Sequence, residues 1–376
     1  MTTAQRRQLP IGTAILGVLI LIGLIVAGYR YANGIGAISN LSDGRPWGLW
    51  ISFDLYCGVA LAAGGFVLAA TVYLFHLKKY YPIIRSAILT AFLGYLLVVF
   101  ALLVDLGQPW RIWHALIYWN LHSPLFEVAW CVMLYTAVLA LEFSPAVFER
   151  LNLQIPIRII RRIQIPLVVT GVVLSTMHQS SLGSMLLMMP DKLNRLWYTP
   201  ILPILFLLSA ISVGLAMTIV ESSLSSRSFG HHVHLDILAG LGRAIPYVLG
   251  LYLVVKLGDV LIAGEIGLIF SQGVHSVLWL VEVLGGVVAP IILFSLPRVR
   301  QSPRALFWSA VIVVLGLVLN RFNVSWLSLA GRPGIGYAPH WMEFAITVGL
   351  LSGGIMVFML ANRYLSIAHH APAESG

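Results

Sequence analysis

The chain has 376 residues, of which 59% are hydrophobic and only 10% charged, with a mean hydropathy of +0.91. Soluble domains carry about a quarter charged residues, so this composition excludes a soluble globular protein and fits a chain whose solvent is lipid. The net charge of +9 comes in short clusters between long apolar runs, with no continuous basic stripe, which excludes a nucleic-acid surface.

About 20 apolar residues cross a bilayer as a helix. By that measure the sequence predicts ten spans, near 10–30, 48–76, 84–105, 124–148, 163–186, 197–221, 237–262, 271–296, 305–325 and 341–363. The expected architecture is all-α, a polytopic membrane helical bundle formed by a single integral membrane domain over 1–376, with 365–376 as a short tail. The first run follows Arg6 and Arg7, exceeds a usual signal-peptide core and has no small-x-small cleavage site after it; it reads as a retained helix. Lys and Arg collect in alternate connections, with Lys78, Lys79, Arg85, Arg150, Arg158, Arg161, Arg162, Arg227, Arg243, Arg298, Arg300, Arg304 and Arg363 on the same side as Arg6 and Arg7. The positive-inside rule makes that side, and both termini, cytoplasmic. Gly64-Gly65, Gly285-Gly286 and Gly353-Gly354 lie within spans and mark close helix approaches.

The polar residues inside the spans are few. Pro46-Trp47-Gly48-Leu49-Trp50-Ile51-Ser52-Phe53-Asp54 starts with interfacial aromatics and ends with a carboxylate about 9 Å deeper. Asp54 needs a partner or a proton, so it is either a proton donor or the ion-pair partner of Lys256 or Arg321. Asp105 stands at a helix end before Leu106-Gly107-Gln108-Pro109-Trp110-Arg111, where capping competes with a functional role. Asp54, Asp105, Glu127, His178, Lys256, Asp259, Arg321 and Glu343 fall in or near the outer third. Glu142 and Glu221 fall near the inner face, where snorkelling alone would tolerate them, and Glu282 falls near the middle. Glu142, Glu221 and Glu282 are the candidates for an inward proton path.

A quinone site needs an apolar slot, hydrogen-bond donors for two carbonyl oxygens and a protonatable group for each reduction step. Thr176-Met177-His178-Gln179-Ser180-Ser181 supplies such groups inside an apolar helix, although His178 and Gln179 would equally serve to bond a neighbouring helix. The candidates for quinone binding or proton donation are therefore His178, Asp54, Asp105, Gln179, Glu127 and Glu343. The two cysteines, Cys57 and Cys131, lie in separate apolar runs, so the chain does not by itself hold an iron–sulfur cluster. His76, His178 and His275 do not match in depth as a bis-histidine pair, so haem b is not expected. The loop histidines His231, His232 and His234 read as a solvated patch, and no metal site is expected. A secondary transporter would also use ten helices with buried charges, but the candidate breaks at Pro246 and Pro290 do not pair across two halves. A purely structural anchor is the other alternative.

These motifs, together with Leu125-Phe126-Glu127, Ala140-Leu141-Glu142-Phe143, Phe148-Glu149-Arg150 and Trp341 with Glu343, resemble the NrfD/PsrC-like membrane subunits, and among them the HybB type of NiFe hydrogenase membrane subunit, a so-called b-type cytochrome subunit. The resemblance covers nearly the whole chain. It implies two four-helix bundles plus extra helices in a bacterial inner membrane, and an extracytoplasmic, ferredoxin-like iron–sulfur partner leading to a catalytic subunit such as a NiFe hydrogenase. It also implies reaction with ubiquinone or menaquinone near the outer face, without haem. Proton movement coupled to that reaction is a further expectation.

Overall fold

The structure, a computed structural model, describes residues 3–45, 47–229, 235–328 and 337–365, with the backbone alone for 3–10. Pro46, the His231, His232 and His234 cluster, Arg332 and the tail from 366 lie outside the described residues. Among the described residues, ten helices are long and apolar enough to cross a membrane. They are α1 (Thr3–Asn33), α2 (Trp50–Leu74), α3 (Tyr81–Asp105), α4 (Pro124–Arg150), α6 (Gln164–Leu187), α7 (Leu202–Phe229), α8 (Leu235–Ile262), α9 (Val274–Ser295), α10 (Pro303–Ser325) and α11 (Trp341–Tyr364), while the short α5 (Gln154–Arg162) links α4 to α6.

Helices α2, α3, α4 and α6 pack as one four-helix bundle and α7 to α10 as a second. The bundles meet along α6–α7 and α2–α7, and α1 and α11 form an extra pair against α3. Lipid supplies no hydrophobic force between helices, so the contacts rest on close approach. Gly64 lies against Gly214, Gly65 against Ala91, Gly286 against Gly316, and Gly23 against Gly349. Gly285 and Gly353, by contrast, meet nothing within 4 Å. Only one glycine of each of those two pairs is a packing residue.

Two spans are irregular. Helix α2 takes wide i→i+5 turns over Trp50–Leu55 and Ala70–Leu74 and breaks at Ala62–Ala63, where Gly64 and Gly65 let α7 and α3 close in. Helix α9 is wide over Val281–Val288. Wide turns of this kind re-aim side chains and gather at functional sites, and Asp54 and Glu282 lie on them. The sixth span starts at Leu202 rather than near 197, because Leu196, Trp197 and Thr199 are buried in a turn that folds over the second bundle. Their apolar character reflects protein packing, not lipid contact.

Candidate functional site

Asp54, Asp105 and Glu343 come from α2, α3 and α11 and meet at the arginine-poor end of the first bundle. Asp54 is buried and accepts a hydrogen bond from Thr347 Oγ1 at 2.8 Å. It pairs with neither Lys256 nor Arg321, because Lys256 is taken by Glu282 and the Arg321 guanidinium by Asn320, Ser209 and the Phe206 carbonyl. Asp105 ends α3, where the helix dipole disfavours a carboxylate. Arg30 offsets this from α1: its Nε donates to Val104 O at 2.8 Å, and its Nη2 donates to Leu106 O. Asp105 lies within electrostatic reach of Asp54, Glu343 and Arg30, and its buried Oδ1 has no hydrogen-bond partner.

Glu343 is fully buried as the N3 residue of a capping box, with His340 as N-cap. Its Oε1 accepts from His340 N at 2.9 Å and from Asn40 N at 3.2 Å, and its Oε2 accepts from the Tyr337 hydroxyl. Tyr337 Oη in turn accepts from Leu49 N at 2.9 Å. A Cβ on Gly48 would lie 2.2 Å from that same oxygen, which explains the glycine of the Trp47-Gly48 motif. Tyr337 lies outside the spans, and burial together with the Glu343 carboxyl beside it holds its phenol above the ordinary value. It therefore remains a hydrogen-bond donor throughout the physiological range. Tyr337→Phe is expected to cost about 1–3 kcal/mol, because one buried acceptor and one backbone donor lose their partner together; thermal unfolding in detergent measures it, and a variant as stable as the parent would mean that water replaces the hydroxyl.

His178 and Gln179 are brought together elsewhere, in the interior of the first bundle. Both are fully buried; Tyr95 Oη lies 2.9 Å from His178 Nδ1, and Gln179 Nε2 donates to Val59 O at 3.0 Å. Tyr95 is ten residues from Asp105 along α3, about 15 Å of helix. His178 and Tyr95 are thus set well down the bundle from Asp105, while Gln179 bonds Val59, five residues from Asp54 on α2. Glu127 belongs to neither: it lies half-buried in the first turn of α4.

Of the inward candidates, Glu142 has a buried Oε1 without a partner, facing Gly171 of α6. Glu221 on α7 accepts from Ser86 Oγ of α3 and borders a cavity of about 10 Å³ with Thr90, Gly64 and Gly65, room for one water molecule. Glu282 is placed differently from the other two. It is an ion pair with Lys256, and it accepts from Asn320 Nδ2, Asn323 Nδ2 and Trp197 Nε1, each at 2.8 Å. Trp197, in the turn before α7, caps the network from the arginine-poor end, and Glu282 ties that turn to α8 and α10. Two cavities of about 20 Å³ flank this network.

No group of three or more His, Cys, Asp or Glu side chains gathers to hold a metal ion among the described residues. Nor do His178 and His275 form a bis-histidine pair. His178 is bonded to Tyr95 in one bundle, while His275 stands against Trp197 in the other. The sequence reading missed Tyr95, Tyr337, Thr347, Arg30 and Trp197, which are ordinary residues until the fold places them. The Asn320-Arg321-Phe322-Asn323 run, three strong polar groups in an apolar span, was a visible signal for the second network.

Fold and site define a multi-pass membrane protein of two four-helix bundles and a flanking helix pair, with buried carboxyl groups gathered at one end. Residues 37–328 match the family described as "Polysulphide reductase, NrfD", and the chain belongs to that family. It is 40% identical over 374 residues to a protein of Nitratidesulfovibrio vulgaris, covering 96% of this chain and 95% of the relative. It is 32% identical over 358 residues to the "probable Ni/Fe-hydrogenase 2 b-type cytochrome subunit" of Escherichia coli K12, covering 94% and 91%. It is 30% identical over 374 residues to the "menaquinone reductase, integral membrane subunit" of N. vulgaris, covering 91% and 88%.

Proposed function

We propose that this chain is the membrane anchor and quinone-reactive subunit of a respiratory oxidoreductase complex, exchanging electrons between an extracytoplasmic iron–sulfur partner and the quinone pool. Its place is the bacterial inner membrane, with the arginine-rich end and both termini in the cytoplasm. The catalytic subunit behind the iron–sulfur partner is of the hydrogenase class, by similarity to the E. coli relative, and the quinone is menaquinone or ubiquinone.

The observation that carries the reading is the convergence of Asp54, Asp105 and Glu343 from three helices beside an aromatic interface. Reducing a quinone takes two electrons and two protons, one proton to each ring oxygen; the partner supplies the electrons and the site must supply the protons. Asp54, held by Thr347, and Asp105, with one oxygen free of protein partners, are the donors in this reading. Glu343 and Tyr337 hold the wall of the site in place. His178, Tyr95 and Gln179 lie deeper and act behind the ring, where Glu142 and Glu221 would bring protons from the cytoplasmic side. Glu282 is held by four donors and is assigned to the frame of the second bundle.

The test uses the complex purified through this chain. Asp54→Asn and Asp105→Asn are each expected to lower turnover with a soluble quinone analogue by about a hundredfold, the range for loss of a general acid, while electron transfer to an artificial dye at the partner subunit is unchanged. Quinone turnover at the parent rate in both variants would leave the chain as a structural anchor.

A further inference from the structure

The connection between α4 and α6 carries a feature that the electron-transfer reading does not use. Helix α5, Gln154–Arg162, has the sequence QIPIRIIRR and lies at the arginine-rich end against α4. At about 100° per residue its side chains divide into three sectors. Ile157 and Ile160 point into the protein and are buried. Ile155 and Ile159 form an i, i+4 stripe that Ile163 continues past the helix end, and these three are 71%, 54% and 41% exposed. Arg158, Arg161 and Arg162 occupy the remaining sector and are exposed. Among the described residues Arg158 and Arg162 make no ion pair, and Arg161 reaches only to 3.9 Å from Glu149, whose carboxylate is already bonded at two points by Arg85.

A water-facing helix has no reason to expose a stripe of isoleucines, and a lipid-buried one has no reason to expose three guanidinium groups. A helix lying in the headgroup layer needs both, with acyl chains against the apolar sector and phosphates against the basic one. Arginine matches the phosphodiester geometrically, with paired N–H groups for two oxygens. We propose that α5 is an anionic phospholipid site: Arg158, Arg161 and Arg162 bind the headgroup phosphate, and Ile155, Ile159 and Ile163 bind the first methylenes of the acyl chains. The net positive charge of this sector selects an anionic lipid over a zwitterionic one. The site lies behind α4 and α6, the helices that carry Glu142 and His178, and does not depend on what the quinone end does.

The test is lipid retention by the delipidated complex in native mass spectrometry, titrated with phosphatidylglycerol, with phosphatidylcholine or with inorganic phosphate. Phosphatidylglycerol is expected to bind with defined stoichiometry, and R158Q/R161Q/R162Q to weaken it by at least about tenfold. R158K/R161K/R162K should keep most of the binding, and R298Q/R304Q, which removes exposed charge elsewhere on the same face, should leave it unchanged. Equal retention of phosphatidylcholine would overturn the proposal, as would full retention in the glutamine variant. Displacement of the lipid by millimolar phosphate would also overturn it, since that would describe an ion site without acyl contacts.

Discussion

Lys256→Met is expected to destabilise the second bundle by about 3–5 kcal/mol, the cost of stranding one member of a buried ion pair. Lys256 and Glu282 are both buried, and the pair connects α8 to α9. Without the ammonium group the carboxylate retains the three neutral donors of Trp197, Asn320 and Asn323 but loses its ion-pair partner, leaving Arg321 as the more distant opposite charge. Arg321 does not replace it, because its Nη atoms are committed to Asn320, Ser209 and Phe206 O, and its guanidinium stacks 3.6 Å from the Phe206 ring centre. Glu282→Gln should be milder, since Lys256 keeps the Tyr252 hydroxyl at 3.3 Å and the faces of Tyr252 and Trp279. The double variant Lys256→Met/Glu282→Gln should recover at least half of the loss of Lys256→Met, because neither member of the pair is then left charged without the other. Thermal unfolding of the four species in detergent gives the coupling energy. Additive losses would show that the two groups are not a pair.

The second large effect is steric and distinguishes two adjacent residues. Gly286→Leu is expected to prevent α9 and α10 from docking, at a cost above the 1–3 kcal/mol usual for overpacking. Gly285→Leu should be tolerated. A Cβ at Gly286 would stand 2.7 Å from Gly316 Cα, and one at Gly316 would stand 2.4 Å from Gly286 Cα, so backbone meets backbone and no rotamer relieves it. Gly285 faces open space, where a Cβ would meet nothing within 4 Å. Yield of monodisperse protein and its unfolding temperature separate the two, and similar behaviour of both variants would contradict the close approach.

Membrane class and the number of spans were legible in the residues because each depends on counting, and the general family because its motifs stand at fixed places in the chain. A span is a run of apolar residues of a set length, and the irregular α2 was recognised as one span despite its break at Ala62–Ala63 because hydropathy is indifferent to hydrogen-bond register. The same indifference misled at 197–201, where Trp197 and its neighbours are apolar for the sake of the protein. Polar residues were legible as types but not as partners. Asp54 read as either a proton donor or a mate for Lys256 or Arg321, and the fold gives it Thr347, 293 positions away, in place of either cation. Glu282 read as a mid-membrane carboxylate and belongs to the network closed by Trp197.

What this sequence determined by itself is which segments are apolar and long enough to dwell in lipid, since transfer free energy acts on each segment separately. Only the tertiary structure decided which buried polar groups meet, because a helix presents a residue to a neighbour according to its rotation and tilt, and those follow from packing with three or four other helices at once. The grouping of Asp54, Asp105 and Glu343, the separation of His178 from them and the choice of Gly286 over Gly285 all arise at that level. Apolar surface fixes where a helix lies; the close contacts of small residues fix which way it faces.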